Sequence, residues 1–244
     1  MNFGKPIPVA PGIHQIRAVA ARVTVVQADG CAALVDTGAP GSFGAIASGL
    51  KALGIPLHQV RWVVLTHYHP DHSGSLGKVV QETGAKVIMH ADDWALLSPG
   101  VTTPSPFRNH VVAEITQPIV QRMYDIPQQP DRLVEEGDVL PLDAQATLQV
   151  VHAPGHTPGS IALYALPQRV LITGDALNHR FGRIGPPAAG VTQDMDEALR
   201  SVRKLLALDF DVLCFSHCPP IGSDRLERFR RRLDEGENAR PPLP

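Results

Sequence analysis

The tightest constraint in this 244-residue chain is a nine-residue stretch. Thr66-His67-Tyr68-His69-Pro70-Asp71-His72-Ser73-Gly74 follows directly on the apolar run Trp62–Leu65. Four potential metal ligands fall within six residues of one another. With 11 histidines in the chain, His-x-His-x-Asp-His should arise by chance in only about one such sequence in a thousand, so the pattern points to a metal site. Alternation in an extended segment sends His67 and His69 to one side, and a turn after Pro70 redirects Asp71 and His72 toward a second point nearby. A buried strand must therefore end in a polar loop able to serve two ions close together.

Three later segments repeat the pattern of a strand followed by a ligand. Val150-Val-His-Ala-Pro-Gly-His156-Thr-Pro-Gly159 sets a histidine between turn residues, Leu171-Ile-Thr-Gly-Asp175 ends on a carboxylate, and Leu213-Cys-Phe-Ser-His217 ends on a histidine. Each is weak alone, because a strand-end Asp or His is commonly a cap. Joined to the first loop they supply five imidazoles and two carboxylates, His67, His69, His72, His156, His217, Asp71 and Asp175. Such a donor set suits two borderline divalent ions, Zn²⁺ first and Fe²⁺ or Mn²⁺ as alternatives, over soft Cu⁺ or hard Ca²⁺.

Periodicity supplies the frame around these loops. Residues 13–36 alternate or run as short apolar strands broken at Asp29-Gly30, and Phe43, Ile46, Leu50 and Leu53 share one helical face ended by Gly54. A helix over Leu76–Glu82, closed by Gly84, leads to a strand at Lys86–His90. The second half predicts strands at Thr147–His152, Ser160–Ala165, Arg169–Thr173 and Val212–Phe215, with helices at Asp194–Ala207 and Ser223–Leu233. No glycine-rich phosphate loop follows any strand, so a single α/β sandwich over residues 1–244 is favoured over a doubly wound nucleotide fold. Residues 95–130 stand apart with six prolines and four charges, and read as a lid-like insertion without strands. Its Phe107, Ile115, Ile119, Met123 and Tyr124 are candidate walls of a substrate pocket, with Phe107 and Tyr124 as candidate contacts. His14, His58, His90 and His110 read as surface or cap residues.

A formal charge of -2 gives no basis for binding nucleic acid, and no apolar run approaches the roughly 20 residues of a membrane span. The proline-broken start has no secretory apolar stretch, which makes the cytoplasm the expected compartment. Three cysteines at 31, 214 and 218 match neither a disulfide framework nor a four-cysteine zinc site. A small-molecule substrate is expected. The oligomeric state stays open, with a homodimer among the alternatives.

At Val35-Asp36-Thr37-Gly38, the His67–His72 motif, Pro154–Gly159, Thr173-Gly174-Asp175 and His217, the sequence resembles the metallo-β-lactamase-fold superfamily of metallohydrolases. The resemblance covers about residues 13–232. It implies an αββα sandwich of two mixed sheets flanked by helices, with His67, His69 and His156 on one metal and Asp71, His72 and His217 on the other. Asp175 would bridge the metals, and Asp36 would support the ligand loop without touching them. Asp71 and Asp175 would be the catalytic carboxylates, serving a metal-bound hydroxide.

Departures narrow the subfamily. True β-lactamases of this fold generally carry Cys or Ser where Asp175 stands, and flavodiiron proteins a Glu at the position of His69. Nucleic-acid-processing branches add domains for which this chain has no spare length. The Cys-Gly-Arg stretch of glyoxalase II is replaced by Ala176-Leu-Asn-His-Arg-Phe-Gly-Arg183, where His179 and Arg180 become candidate substrate contacts, and the C-terminal glutathione-binding domain has no counterpart. The resulting expectation is a dinuclear hydrolase of an ester, lactone or thioester. The alternatives are a mononuclear iron sulfur dioxygenase of the persulfide type and a phosphodiesterase or phosphotriesterase of the same superfamily.

Overall fold

The structure, a computed structural model, describes residues 3–98, 100–124, 129–143, 146–180 and 182–226. Strands β1 (Pro6–Ala10), β2 (Ile13–Arg17), β3 (Arg22–Ala28), β4 (Cys31–Val35), β5 (Val60–Val64), β6 (Lys86–His90) and β7 (Arg132–Val134) form one sheet in that order. It is antiparallel from β1 to β4 and parallel from β4 to β7. A second sheet is ordered β14-β11-β10-β9-β8, from β8 (Val139–Pro141), β9 (Thr147–His152), β10 (Ile161–Leu166), β11 (Val170–Ile172) and β14 (Val212–Cys214). Between these come β12 (Asn178–Arg180) and β13 (Arg183–Gly185), a small hairpin.

The apolar patterns explain the layers. Val26, Val35, Val64 and Ile88 of the first sheet pack on Leu148, Val150, Ile161, Leu163 and Ile172 of the second, and this core joins the sheets. The outer face of the first sheet, with Val23, Val25, Leu34 and Val63, is covered by α1 (Phe43–Ala52) and α3 (Leu76–Thr83) through Ile46, Leu50, Leu76 and Val79. The other outer face, with Val151, Ala162, Leu171 and Leu213, packs on Leu205 of α6 (Met195–Leu206) and on Phe210. The result is the αββα sandwich of two mixed sheets that the sequence implied. No helix among the described residues is long and apolar enough to cross a membrane.

Strand direction gathers the ligand loops. β4, β5 and β6 run parallel, so Asp36, His67 and the start of α4 (Ala91–Leu97) leave one edge together. In the second sheet two antiparallel pairings and one parallel pairing make β9, β11 and β14 run the same way, so the segments bearing His156, Asp175 and His217 also leave one edge. Backbone bonds from Ile161 N to Thr66 O (2.9 Å) and from Arg22 N to Ser216 O (2.7 Å) bring the two edges together.

The short elements β7, β8, β12, β13 and α4 are not expected from the sequence, and two further elements are hidden by prolines. Proline at 6 and 8 hides β1, which is tolerated because an edge strand leaves one row of backbone groups unpaired. Residues 95–130 contain no strand among those described, as expected, but they do contain α5 (His110–Gln121), capped by Asn109, which accepts from the Val111 and Val112 amides at 3.1 Å. Pro118 sits inside that helix, where a proline ordinarily signals a break. The expected last helix begins at Ser223, and its course beyond Leu226 lies outside the described residues.

The loop before α6 is built on Gly155, whose φ is +120°; a Cβ there would overlap the Ala198 nitrogen and lie 2.5 Å from its Cα. Gly155→Ala should therefore cost at least about 1–3 kcal/mol, the usual penalty for overpacking, and lower the melting temperature by roughly 2–4 °C per kcal/mol. A melting curve identical to the parent would show that the α6 start yields freely.

Candidate metal centre

Four of the five clustered histidines have Nδ1 occupied, which turns Nε2 inward. His72 Nδ1 donates to Asp36 Oδ2 at 2.8 Å, and His217 Nδ1 to the Ala20 carbonyl at 3.0 Å. His156 Nδ1 lies 3.2 Å from Thr192 Oγ1, whose own proton goes to Ala188 O. His67 Nδ1 lies 3.1 Å from Thr66 Oγ1, which donates in turn to Asp36. In a neutral ring whose Nδ1 is the donor, the lone pair sits on Nε2, the nitrogen that these four rings turn toward the cluster. His69 differs, since its Nδ1 faces His156 Nε2 at 3.0 Å.

The carboxylates complete the cluster. Asp175 Oδ1 lies 3.4 Å from His72 Nε2, while its Oδ2 is 3.0 Å from His217 Nε2 and 3.7 Å from His156 Nε2. Asp71 Oδ2 reaches His217 Nε2 at 3.5 Å and His72 Nε2 at 3.7 Å. Ligand atoms of His67, His69 and His156 lie within 4.8 Å of one another, as do those of Asp71, His72 and His217, and Asp175 joins His67 and His72 in a third such set. All seven residues singled out in the sequence thus converge.

The donor chemistry fits divalent ions. His67 Nε2, His69 Nε2 and His72 Nε2 are buried without a hydrogen-bond partner, a costly state for groups that only an additional partner can relieve. Burial, then the neighbouring imidazoles, hold His67 and His69 well below the usual histidine range, so these rings are neutral and able to ligate. Burial also lowers His72, but the Asp36, Asp71 and Asp175 carboxylates outweigh it and hold that ring well above the range. Burial would raise Asp175, yet His72 and His217 keep it well below the carboxylate range.

Asp36 and Asp93 organise the loops without joining the cluster. Asp36, buried just past β4, accepts from the Thr66 amide at 2.8 Å as well as from Thr66 Oγ1 and His72. Asp93, in the first turn of α4, is fully buried and accepts from Tyr68 N (2.7 Å), Thr157 Oγ1 (2.9 Å) and Gly159 N (2.6 Å), clamping the His67–His72 and His156 loops together. Burial pushes its carboxyl up to about 6 despite those three bonds. Nothing in the sequence separates Asp93 from Asp92, and Thr66, Thr192 and the Ala20 carbonyl carry no motif signal either. His90 caps α4 by accepting from Asp92 N, and its ring stacks on His152 at 4.1 Å.

A cavity of about 450 Å³ opens above the cluster, with His69, Asp71, Asp175 and His217 in its lining. The insertion supplies Phe107, Ile119 and Met123 to its wall. Other expected contacts lie elsewhere. Ile115 on α5 is 71% exposed, and Tyr124 packs against the core under α1 and α3. His179 stacks on Phe215 outside the lining, which Arg180 does not reach either; Asn178 is the β12 residue that lines the cavity. Alternation along that short strand sends His179 to the face opposite Asn178, while Arg180, on the face of Asn178, lies beyond the cavity at the strand's end.

Residues 16–217 match the family model of the metallo-beta-lactamase superfamily. A probable metallo-hydrolase of Bacillus subtilis, YflN, is 27% identical across 98% of this chain and 94% of its own length. A hydroxyacylglutathione hydrolase of Rhodospirillum rubrum is 28% identical across 83% of this chain and 64% of its own. Among solved structures, a metallo-beta-lactamase family protein from Thermus thermophilus is similar with a TM-score of 0.72 and 24% identity, covering 94% of this chain and 80% of that one.

Asp36→Asn puts a donor where His72 Nδ1–H and two Thr66 groups need acceptors. Metal affinity should fall by about 10–100-fold, read by competition with a chromogenic chelator. Unchanged affinity in the folded variant would mean that His72 is held by something else.

Proposed function

Because the chain belongs to the metallo-beta-lactamase superfamily and is a metal-dependent hydrolase, we propose that it is a dinuclear enzyme cleaving neutral carboxylic esters, lactones or thioesters, with zinc as its ion. In this reading His67, His69 and His156 hold one ion, Asp71, His72 and His217 the other, and Asp175 serves both. The observation that carries it is that Asp175 lies within 4 Å of histidines of both donor sets, beside one largely apolar cavity. Divalent ions there supply a Lewis acid for the substrate oxygen and a water acidic enough to attack near neutral pH.

The side chains of the protein do the rest. Asp36 aims His72, Thr192 aims His156 and Ala20 aims His217, which turns the Nε2 atoms of these rings toward the cluster. In the same reading Asp71, a cavity-lining residue 3.5 Å from His217 Nε2, would orient the attacking water. The walls take the apolar part of the substrate and exclude solvent, and a volume of about 450 Å³ suits a small molecule. Among the described residues no Lys or Arg lines the cavity, which disfavours phosphodiesters and phosphotriesters with charged remainders. The second donor set is as complete as the first, which favours two ions over the single iron of a sulfur dioxygenase.

Metal analysis of the purified protein should find two equivalents. Asp175→Ala, which removes the shared carboxylate, should lower this toward one and reduce turnover by orders of magnitude. Full occupancy with near-normal turnover in that variant, or one iron with sulfur-dependent oxygen uptake in the parent, would refute the reading.

A substrate panel tests the bond class. Carboxylic esters or lactones should exceed phosphodiesters in kcat/KM, and each methylene added to the acyl chain should contribute at most about 0.8 kcal/mol, roughly fourfold, until the cavity is full. Rates that ignore chain length and follow substrate charge would assign the α5 wall to packing alone.

A further inference from the structure

Outside the metal ligands, the described cavity wall is apolar except for two residues, Thr116 and Asn178. Thr116 is spent locally, because its hydroxyl donates back to the Val112 carbonyl at 2.7 Å and can only accept from a ligand. Asn178 is different. Its carboxamide has one contact among the described residues, Oδ1 facing the Cys218 thiol at 3.9 Å, and that thiol is already committed to the His179 carbonyl at 2.9 Å. The Asn178 amino group is therefore the one neutral side-chain donor on the described wall without an acceptor. Among the described residues no hydrogen bond joins it to any of the seven clustered ligands, with four of which it lines the cavity.

We propose that Asn178 determines specificity by donating from Nδ2 to a second oxygen of the substrate, a keto, hydroxyl or amide oxygen on the acyl portion, while the rest of that portion lies on the apolar wall. The proposal rests on the ester-hydrolase reading above and adds to it the class of acyl group. A donor facing an apolar wall gains little from a plain alkyl chain and is left unsatisfied by it, whereas one well-placed oxygen satisfies it. Such a site discriminates by the presence of an acceptor more sharply than by one methylene more or less.

The test compares a hexanoyl ester with its keto counterparts bearing the oxygen at C3, C4 or C5, on the metal-loaded enzyme. One keto ester should exceed the plain ester by roughly tenfold to hundredfold in kcat/KM, mainly through KM. In Asn178→Leu, which keeps the bulk and removes the donor, that ratio should fall toward one, with metal content and melting temperature as controls on folding. A ratio near one at every position in the parent, or a preference that survives Asn178→Leu, would overturn the proposal. If the parent cleaves no ester, the hydrolase reading fails separately. Calorimetry with the matching non-hydrolysable ethers still reads the donor: a keto preference lost in Asn178→Leu supports it, and equal affinities refute it.

Discussion

The buried Asp36 carboxylate is the interaction on which the metal centre depends. It stands one residue past β4 at φ +65°, a left-handed conformation that costs a non-glycine residue about 1–2 kcal/mol. That cost is offset because the turn aims both carboxylate oxygens at Thr66 and His72. Thr66 Oγ1, polarised by Asp36, receives the His67 ring, so one carboxylate sets the orientation of two histidines from a strand beside their own. A chain that lost this contact would keep its sheets and lose the convergence of its lone pairs.

Asp93 plays the complementary part between the sheets. The His67–His72 loop leaves the first sheet and the His156 loop leaves the second, and the two meet on the same carboxylate through Tyr68 N, Thr157 Oγ1 and Gly159 N. Gly159 fits there because it has no Cβ; one would lie 2.5 Å from the Asp93 nitrogen. Asp36 therefore aims side chains within one sheet, while Asp93 fixes the spacing between loops of different sheets. Two buried carboxylates, neither among the expected ligands, convert strand ends into one site.

Sequence reading works here where chemistry demands particular side chains close together. His67, His69, Asp71 and His72 are legible because their spacing is improbable and each is a ligand type, Asp175 and His217 because each closes a strand, and His156 because it sits between turn residues after one. What escapes is set by three-dimensional context. Asp92 and Asp93 are the same residue at adjacent positions of one helix turn, yet Asp92 is exposed while Asp93 is sealed under two loops. The sequence offers His179 and Arg180 as contacts because they follow Asp175, but Asn178 is the β12 residue that lines the cavity. Prolines at 6, 8 and 118 suppress the local signals of β1 and α5, which tertiary packing and the Asn109 cap restore.

The arrangement of charge over the cavity carries the functional argument one step further. The ionisable groups of the described lining, His69, Asp71, Asp175 and His217, belong to the ligand cluster, and apolar residues of α5, of the segment before β12 and of the segment after β13 form the walls. In a low-dielectric enclosure the cluster's charges act at greater strength than they would in water. The walls contribute shape and dryness but no charge, so a substrate with a charged remainder would give up its hydration there without a counter-charge in return. On the proposed ester-hydrolase reading, selection against charged substrates follows from what the walls lack, and selection among neutral ones from the small number of polar groups they keep.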